Sequence, residues 1–369
     1  MKITDVKVQI IKRELKLPDG TDLKREGESF LDRFAHVPVL TIITDEGIHG
    51  TSFGRDGLEI AQHLAKVKSF LVGKKPLCIE KLWQESWSRS REWFLPQIIL
   101  GMIDVALWDI LGKKANLPVY KLLGAYRDKI KSYASLPVID TPEQTVEEVL
   151  KYVEKGFSAF KLHTPGDISI DIAICKAVRK AVGDKIALML DPIGAYDYNG
   201  AMRVGKVIEE LNYHWYEEPV SDTNINSYVK LCSKLDIPLC SQSSLPGNLF
   251  SRAERILRGA TDILRGDVLY SEGISSLKKT ASLADAFGMN CEIHGLFDPV
   301  MNAANLHVMC SIKNSEYYEY IAVEQLQNWG VTDGGVRIDD KGFAHVPQKP
   351  GIGIDIDWEY INKHTVLVC

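Results

Sequence analysis

From about residue 130 onward the chain alternates short apolar runs with amphipathic helical stretches, and the runs recur at a nearly constant interval. They are IKSYAS (130–135), AFKLH (159–163), IALMLD (186–191), HWYEEP (214–219), IPLCSQ (237–242), DILRGD (262–267), NCEIH (290–294) and YYEYIAVE (317–324). Most end about 25 to 29 residues apart. A parallel strand pair needs a crossover helix, and one strand with its helix takes roughly this much chain. The period predicts eight parallel strands with seven intervening helices, closed into an α/β barrel of (β/α)7β type. The pattern ahead of the barrel is different. MKITDVKVQIIKREL alternates as a strand, and VPVLTIITDEGIHGTSFG (38–54) reads as an antiparallel hairpin about an Asp-Glu-Gly turn. EIAQHLAKVKSFLVG and PQIILGMIDVALWDILGKKANLPVYKLLG follow with helical periodicity, so this part is an α+β unit.

Polarity is concentrated at one end of the runs. Nearly every run is apolar in its body, and seven of the eight end polar: Lys161 and His163, Asp191, Glu217 and Glu218, Gln242, Asp267, His294, and Glu319. In a barrel these ends share one mouth, where active sites are built. A lone carboxylate at a strand end is most simply a helix cap or half of a salt bridge. So many buried ionisable groups would cost several kcal/mol each if uncompensated, which predicts a cation in the mouth.

The individual stations suggest a chemistry. Asp191 and Glu217 lie on consecutive runs and would repel. A hard divalent ion, Mg²⁺ before Ca²⁺ or Mn²⁺, resolves this, as would a shared proton or a salt bridge to Lys161. Asp267 and His294, on the next-but-one pair of runs, fall within hydrogen-bond reach across adjacent strands, as a catalytic dyad or a structural pair. Lys161 and His163 share side-chain parity, so both face the mouth if either does. The Lys suits charge developing on a substrate oxygen, and the His suits proton exchange near neutral pH. The plain alternatives are a salt bridge from Lys161 to Asp191 or Glu217 and a His163 tautomer held by backbone.

Composition narrows the partners. The 369 residues are 45% apolar and 25% charged with a formal net charge of −5, and no basic run supplies a surface for nucleic acid or an anionic membrane. No stretch of about 20 apolar residues or secretory leader is evident, and seven scattered cysteines contain no CxxC pair, which predicts reduced thiols in a cytoplasm. No phosphate-loop or dinucleotide fingerprint occurs, and the GxSxG string GTSFG (50–54) lies in the predicted hairpin and not at a strand-to-helix elbow, so neither competes with this reading.

Taken in order, KLH, the LD at Asp191, the EEP at 217–219, DVLYSEGIS and AFGMNCEIH resemble the stations of the enolase superfamily, in its mandelate racemase / muconate lactonizing enzyme-like branch. IDVALWDILGKKANLPVYKLLG resembles that branch's capping-domain helix. The resemblance implies an N-terminal α+β capping domain (1–125), a barrel (126–325) and a C-terminal segment (326–369) that completes the cap. It further implies one Mg²⁺ per subunit, held by Asp191, Glu217 and a fifth-strand residue, here Gln242. The catalytic groups would be Lys161, His163, Asp267 and His294. Glu319 would hold the substrate carboxylate, with Glu324 the competing choice. It also implies a homo-oligomer.

Three positions depart from the branch. Gln242 offers a neutral amide where a Glu or Asn is usual, Ile193 stands where many relatives keep an Asn, and His163 replaces a catalytic Lys. These favour an acid-sugar dehydratase, acting on an aldonate or aldarate, over a mandelate-type racemase. The alternatives are an epimerase, racemase or lactone cycloisomerase, and a catalytically silent binding barrel. Specificity is expected from capping loops, with Lys24, Arg25 and Arg55 as candidates for a distal substrate group and Arg91 and Trp93 as further, unplaced ones.

Overall fold

A computed structural model describes residues 1–13, 35–241 and 247–369, with the backbone alone of 24–25 and 28–29. Each of the eight apolar runs forms a strand: Lys129–Val138, Ala159–His163, Ala187–Asp191, Trp215–Glu217, Leu239–Ser241, Ile263–Gly266, Asn290–Ile293 and Tyr317–Ile321. They pair in parallel in chain order, and the last pairs with the first through Tyr318 opposite Ser132, which closes the barrel. Seven helices cover the outside: Pro142–Glu154, Ile168–Val182, Tyr198–Glu210, Ile225–Cys232, Leu249–Arg258, Ile274–Ala286 and Pro299–Met309. Six start where the sequence supplies an N-cap. Thr141, Asp167, Asp197, Asn224, Asn248 and Asp298 each accept a backbone N–H of the first turn.

Helix Ile274–Ala286 is capped differently. It begins at Gly273, which has φ 100° and no side chain to offer. Asp104, from the helix Gln97–Ala115 of the N-terminal part, reaches across and accepts both the Ser275 N–H (2.9 Å) and the Ser275 hydroxyl (2.7 Å). Trp83 Nε1 donates to Glu272 O (2.7 Å) beside it. A Cβ on Gly273 would lie 2.4 Å from the Asp104 carboxylate. Gly273→Ala therefore combines an unfavourable φ with a clash at this seam, and is expected to lower unfolding free energy in urea by about 2–5 kcal/mol. A loss below about 1 kcal/mol would mean that the seam adjusts.

The N-terminal sheet runs Thr365–Val368, Ile3–Lys12, His36–Thr44, His49–Phe53, all antiparallel, so the last strand of the chain pairs with the first. The hairpin turns through Asp45-Glu46-Gly47, with Gly47 at φ 74°. Three helices pack with it: Gly57–Leu71, Ile79–Trp93 and Gln97–Ala115. The helical stretch that opens at 96 ends where Pro118 and Gly124 punctuate the sequence: Asn116 turns left-handed (φ 53°) ahead of Pro118, and one further turn, Val119–Leu122, follows. Helix Ile79–Trp93 escapes a reading of apolar periodicity because it buries little beyond Ile79, Leu82, Trp83 and Ser86. Among the described residues no helix is long and apolar enough to cross a membrane.

Candidate active site at the barrel mouth

Strand parity builds the site. The barrel interior is filled by Tyr133, Ala159, Met189, Trp215, Cys240 and Ile263. Two residues further along four of those strands, and so on the same face, stand Lys161, Asp191, Glu217 and Arg265. Glu319, on the eighth strand, completes the layer. It is buried and accepts the Gly295 N–H at 2.7 Å. Glu324 lies instead on the turn Glu324–Leu326 and pairs with Lys155 at the surface (3.0 Å).

Lys161 is 1% exposed, and its ammonium lies 2.8 Å from Glu319, 3.0 Å from Glu217 and 3.5 Å from Asp191. Burial opposes its charge, but Glu217 and Glu319 outweigh that and hold its pKa well above the ordinary lysine value. Glu319 is shifted the opposite way: burial would raise its pKa, but Lys161 and Arg265 pull it well below the carboxylate range. Asp191 is likewise lowered against burial by Lys161 and His163. The plain salt-bridge alternative for Lys161 is thus present in the geometry with both named carboxylates.

Arg265 was not foreseen. It is fully buried, with Nη2 2.7 Å from Glu217 and 3.0 Å from Glu319. The expected cation in the mouth is in this respect built in, since Lys161 and Arg265 face Asp191, Glu217 and Glu319. The available signal was parity: within the run DILRGD, position 265 faces the same way as Asp267. Trp215 Nε1, also unforeseen, donates to the other Glu217 oxygen (3.2 Å).

His163 sits beside Asp191 in the strand register, with Nε2 3.2 Å from the Asp191 carboxylate and Nδ1 2.6 Å from Leu136 O. The backbone carbonyl therefore orients the ring, as one reading of the sequence expected. Asp191 also accepts the Ile193 N–H (2.8 Å), and Ile193 adopts φ 54°, a strained conformation for a β-branched residue.

On the other side of the mouth, Asp267 accepts the Leu269 and Tyr270 N–H groups, each at 2.7 Å, on one carboxylate oxygen. Its second oxygen faces His294 Nδ1 at 3.5 Å, longer than the hydrogen bond expected from the spacing. Neither facing atom has another hydrogen-bond partner among the described residues. Such pairs tighten when a ligand arrives. An Nδ1–H directed at Asp267 leaves the Nε2 lone pair of His294 available for a proton.

A small cavity of about 20 Å³ lies beside the segments that follow Asp267 and His294. It is lined from the N-terminal part by Arg13, Gly54 and Arg55, and from the barrel by Tyr270, Leu296 and Asp298, among others. Arg55 donates to Asp56 (2.9 Å) and to the Tyr270 hydroxyl, so it stands at the mouth. Gln242 and the side chains of Lys24 and Arg25 lie outside the described residues. Arg91 is exposed and Trp93 packs edge-on against Phe70, away from this cavity.

Asp191 and Glu217 both point at the Lys161 ammonium, so their oxygens converge. They form a hard oxygen pair that fits Mg²⁺, which typically takes one or two carboxylates and completes its shell with water and substrate oxygens. Among the described residues, no group of three or more His, Cys, Asp or Glu side chains is arranged to hold a metal ion.

Residues 144–360 match the enolase C-terminal domain-like family, and residues 33–124 match the mandelate racemase / muconate lactonizing enzyme N-terminal domain. A D-galactonate dehydratase of Variovorax paradoxus is 31% identical over 348 residues, 87% of this chain and 89% of the relative. A D-galactarolactone cycloisomerase of Agrobacterium fabrum is 27% identical, covering 98% of each chain. Among solved structures, D-glucarate dehydratase from Agrobacterium tumefaciens complexed with magnesium superposes with a TM-score of 0.89 at 34% identity, over 100% of both chains.

Proposed function

The chain belongs to the mandelate racemase / muconate lactonizing enzyme branch of the enolase superfamily, and from that premise we propose that it is a Mg²⁺-dependent acid-sugar dehydratase. The substrate is an aldonate or aldarate and the product a 2-keto-3-deoxy acid. One observation carries the reading: His294, oriented toward Asp267, and the Lys161–His163 pair approach one mouth from separate strands, with Asp191 and Glu217 between them in the ring. Several relatives are named as dehydratases of acid sugars, which supports the same assignment.

Asp191 and Glu217 would hold the ion, with Gln242 as the candidate third ligand. When bound, Mg²⁺ supplies Lewis-acid stabilisation of the negative charge on the substrate carboxylate. His294 Nε2 takes the proton from the carbon α to that carboxylate, and the electron pair of the broken C–H bond passes into the enediolate. Lys161, kept charged by its carboxylate neighbours, stabilises this charge at short range. Collapse of the enediolate expels the β-hydroxyl, which leaves as water after accepting the proton held by His294. The resulting enol tautomerises to the 2-keto acid. Glu319 orients the substrate carboxylate through Lys161, and Arg55 faces the distal end of the cavity. His163, beside Asp191, serves as the second proton-handling group.

The test is a screen of aldonates and aldarates with Mg²⁺, read as 2-keto acid trapped with semicarbazide and repeated after EDTA. Formation of 2-keto acid that EDTA abolishes is the expected result. Two histidines on separate strands also favour a second reading, racemisation, epimerisation or lactone cycloisomerisation, which the A. fabrum relative's name illustrates. Deuterium incorporation at the α-carbon in D₂O without loss of water would establish that reading and overturn dehydration.

A further inference from the structure

Glu217, Lys161, Glu319 and Arg265 form a closed ring of alternating charge in the barrel interior. Each carboxylate contacts both cations: Lys161 at 3.0 and 2.8 Å, Arg265 at 2.7 and 3.0 Å, from Glu217 and Glu319 respectively. All four side chains are at most 1% exposed. Arg265 Nη1 also reaches the Tyr133 hydroxyl (3.4 Å), and this phenol lies beneath Lys161, whose Nζ is 5.7 Å from the ring centroid. The ring is electrically neutral. One Glu217 oxygen already accepts from both cations, and the other accepts from Trp215, so few of its lone pairs remain for an ion.

Two like charges forced together in a dry interior repel strongly unless a cation lies between them. Lys161 cannot be that cation alone, because it also faces Asp191. We propose that Arg265 is a positioning residue acting as a built-in cation: by bridging Glu217 and Glu319 it keeps the carboxylate cluster assembled with no divalent ion bound, and it weakens the cluster's hold on such an ion. Its planar fork suits two carboxylates at once, which an ammonium in its place would not match.

The inference rests on Asp191 and Glu217 being the ion site, but not on which reaction the protein performs, so product assays and the following test fail independently. Native protein, Arg265→Met and Arg265→Lys are freed of metal with EDTA, melted with and without added Mg²⁺, and titrated with Mg²⁺ by calorimetry. Native protein is expected to gain less in melting temperature from added Mg²⁺ than Arg265→Met does. Arg265→Met is expected to melt lower in EDTA, to recover on adding Mg²⁺, and to bind Mg²⁺ about tenfold more tightly or better, with Arg265→Lys in between. A purely structural arginine would lower stability without changing Mg²⁺ affinity. Unchanged affinity in Arg265→Met, or melting like native protein in EDTA, overturns the proposal. Should Arg265→Met not accumulate as folded protein, Arg265→Lys decides: tighter Mg²⁺ binding than native supports the proposal and equal binding overturns it.

Discussion

Replacing His294 with asparagine is expected to lower kcat/KM for dehydration by about 10²–10⁴-fold and to leave the fold intact. The fold is insensitive because His294 makes few structural contacts. Its side chain is 14% exposed, and its nearest ionic neighbour, Asp267, is already held by two backbone N–H groups. Activity is sensitive because Asp267 and the ring orientation leave Nε2 as the proton acceptor on that face of the mouth. The measurement is 2-keto acid formation alongside a urea unfolding curve. If His294→Asn keeps α-deuterium exchange but loses elimination, His163 is the base and His294 only the acid for the departing hydroxyl. Activity within a few fold of native would remove His294 from the reaction altogether.

The second large effect is expected from Lys161→Met, which deletes a cation shared by Asp191, Glu217 and Glu319. Methionine fills much of the volume, so the loss is electrostatic: three buried carboxylates are left with Arg265 and His163. Removing one partner from a buried ionic cluster costs about 3–5 kcal/mol, and loss of charge stabilisation at the substrate costs about 10²–10³ in turnover. Lys161→Arg separates the two. It retains the charge and should recover most of the stability, but its planar head cannot contact three carboxylates from one point, so turnover stays low. Native-like stability in Lys161→Met would show that the carboxylates do not depend on this ammonium.

Much of this architecture was legible in the chain. The strand–helix interval is set by local geometry, so eight strands and the helices between them follow from where apolar runs and N-cap residues occur. Parity along a strand is equally local. It placed Lys161 with His163, whereas the choice between Glu319 and Glu324 stayed open until the structure put Glu319 on the strand and Glu324 beyond it. The helix break at Asn116 was also available, since Pro118 follows it closely.

Other features depended on residues distant in sequence. Arg265 reads as one polar interruption of an apolar run, and its significance arises only because barrel closure sets the sixth strand's interior face against the fourth and eighth, at the height where Glu217 and Glu319 project. Asp104 reads as a stray acid in an apolar helix. It becomes a cap only because the N-terminal part sits over the barrel with its helix against Gly273 and Ser275. Periodicity and parity act over a few residues, so the sequence alone determined which side chains face inward and at which strand end. Which of those charges meet is decided by strand stagger and by the docking of one part on the other. Those are properties of the closed tertiary structure, and they turned an expected excess of carboxylates into a ring balanced by the chain's own lysine and arginine.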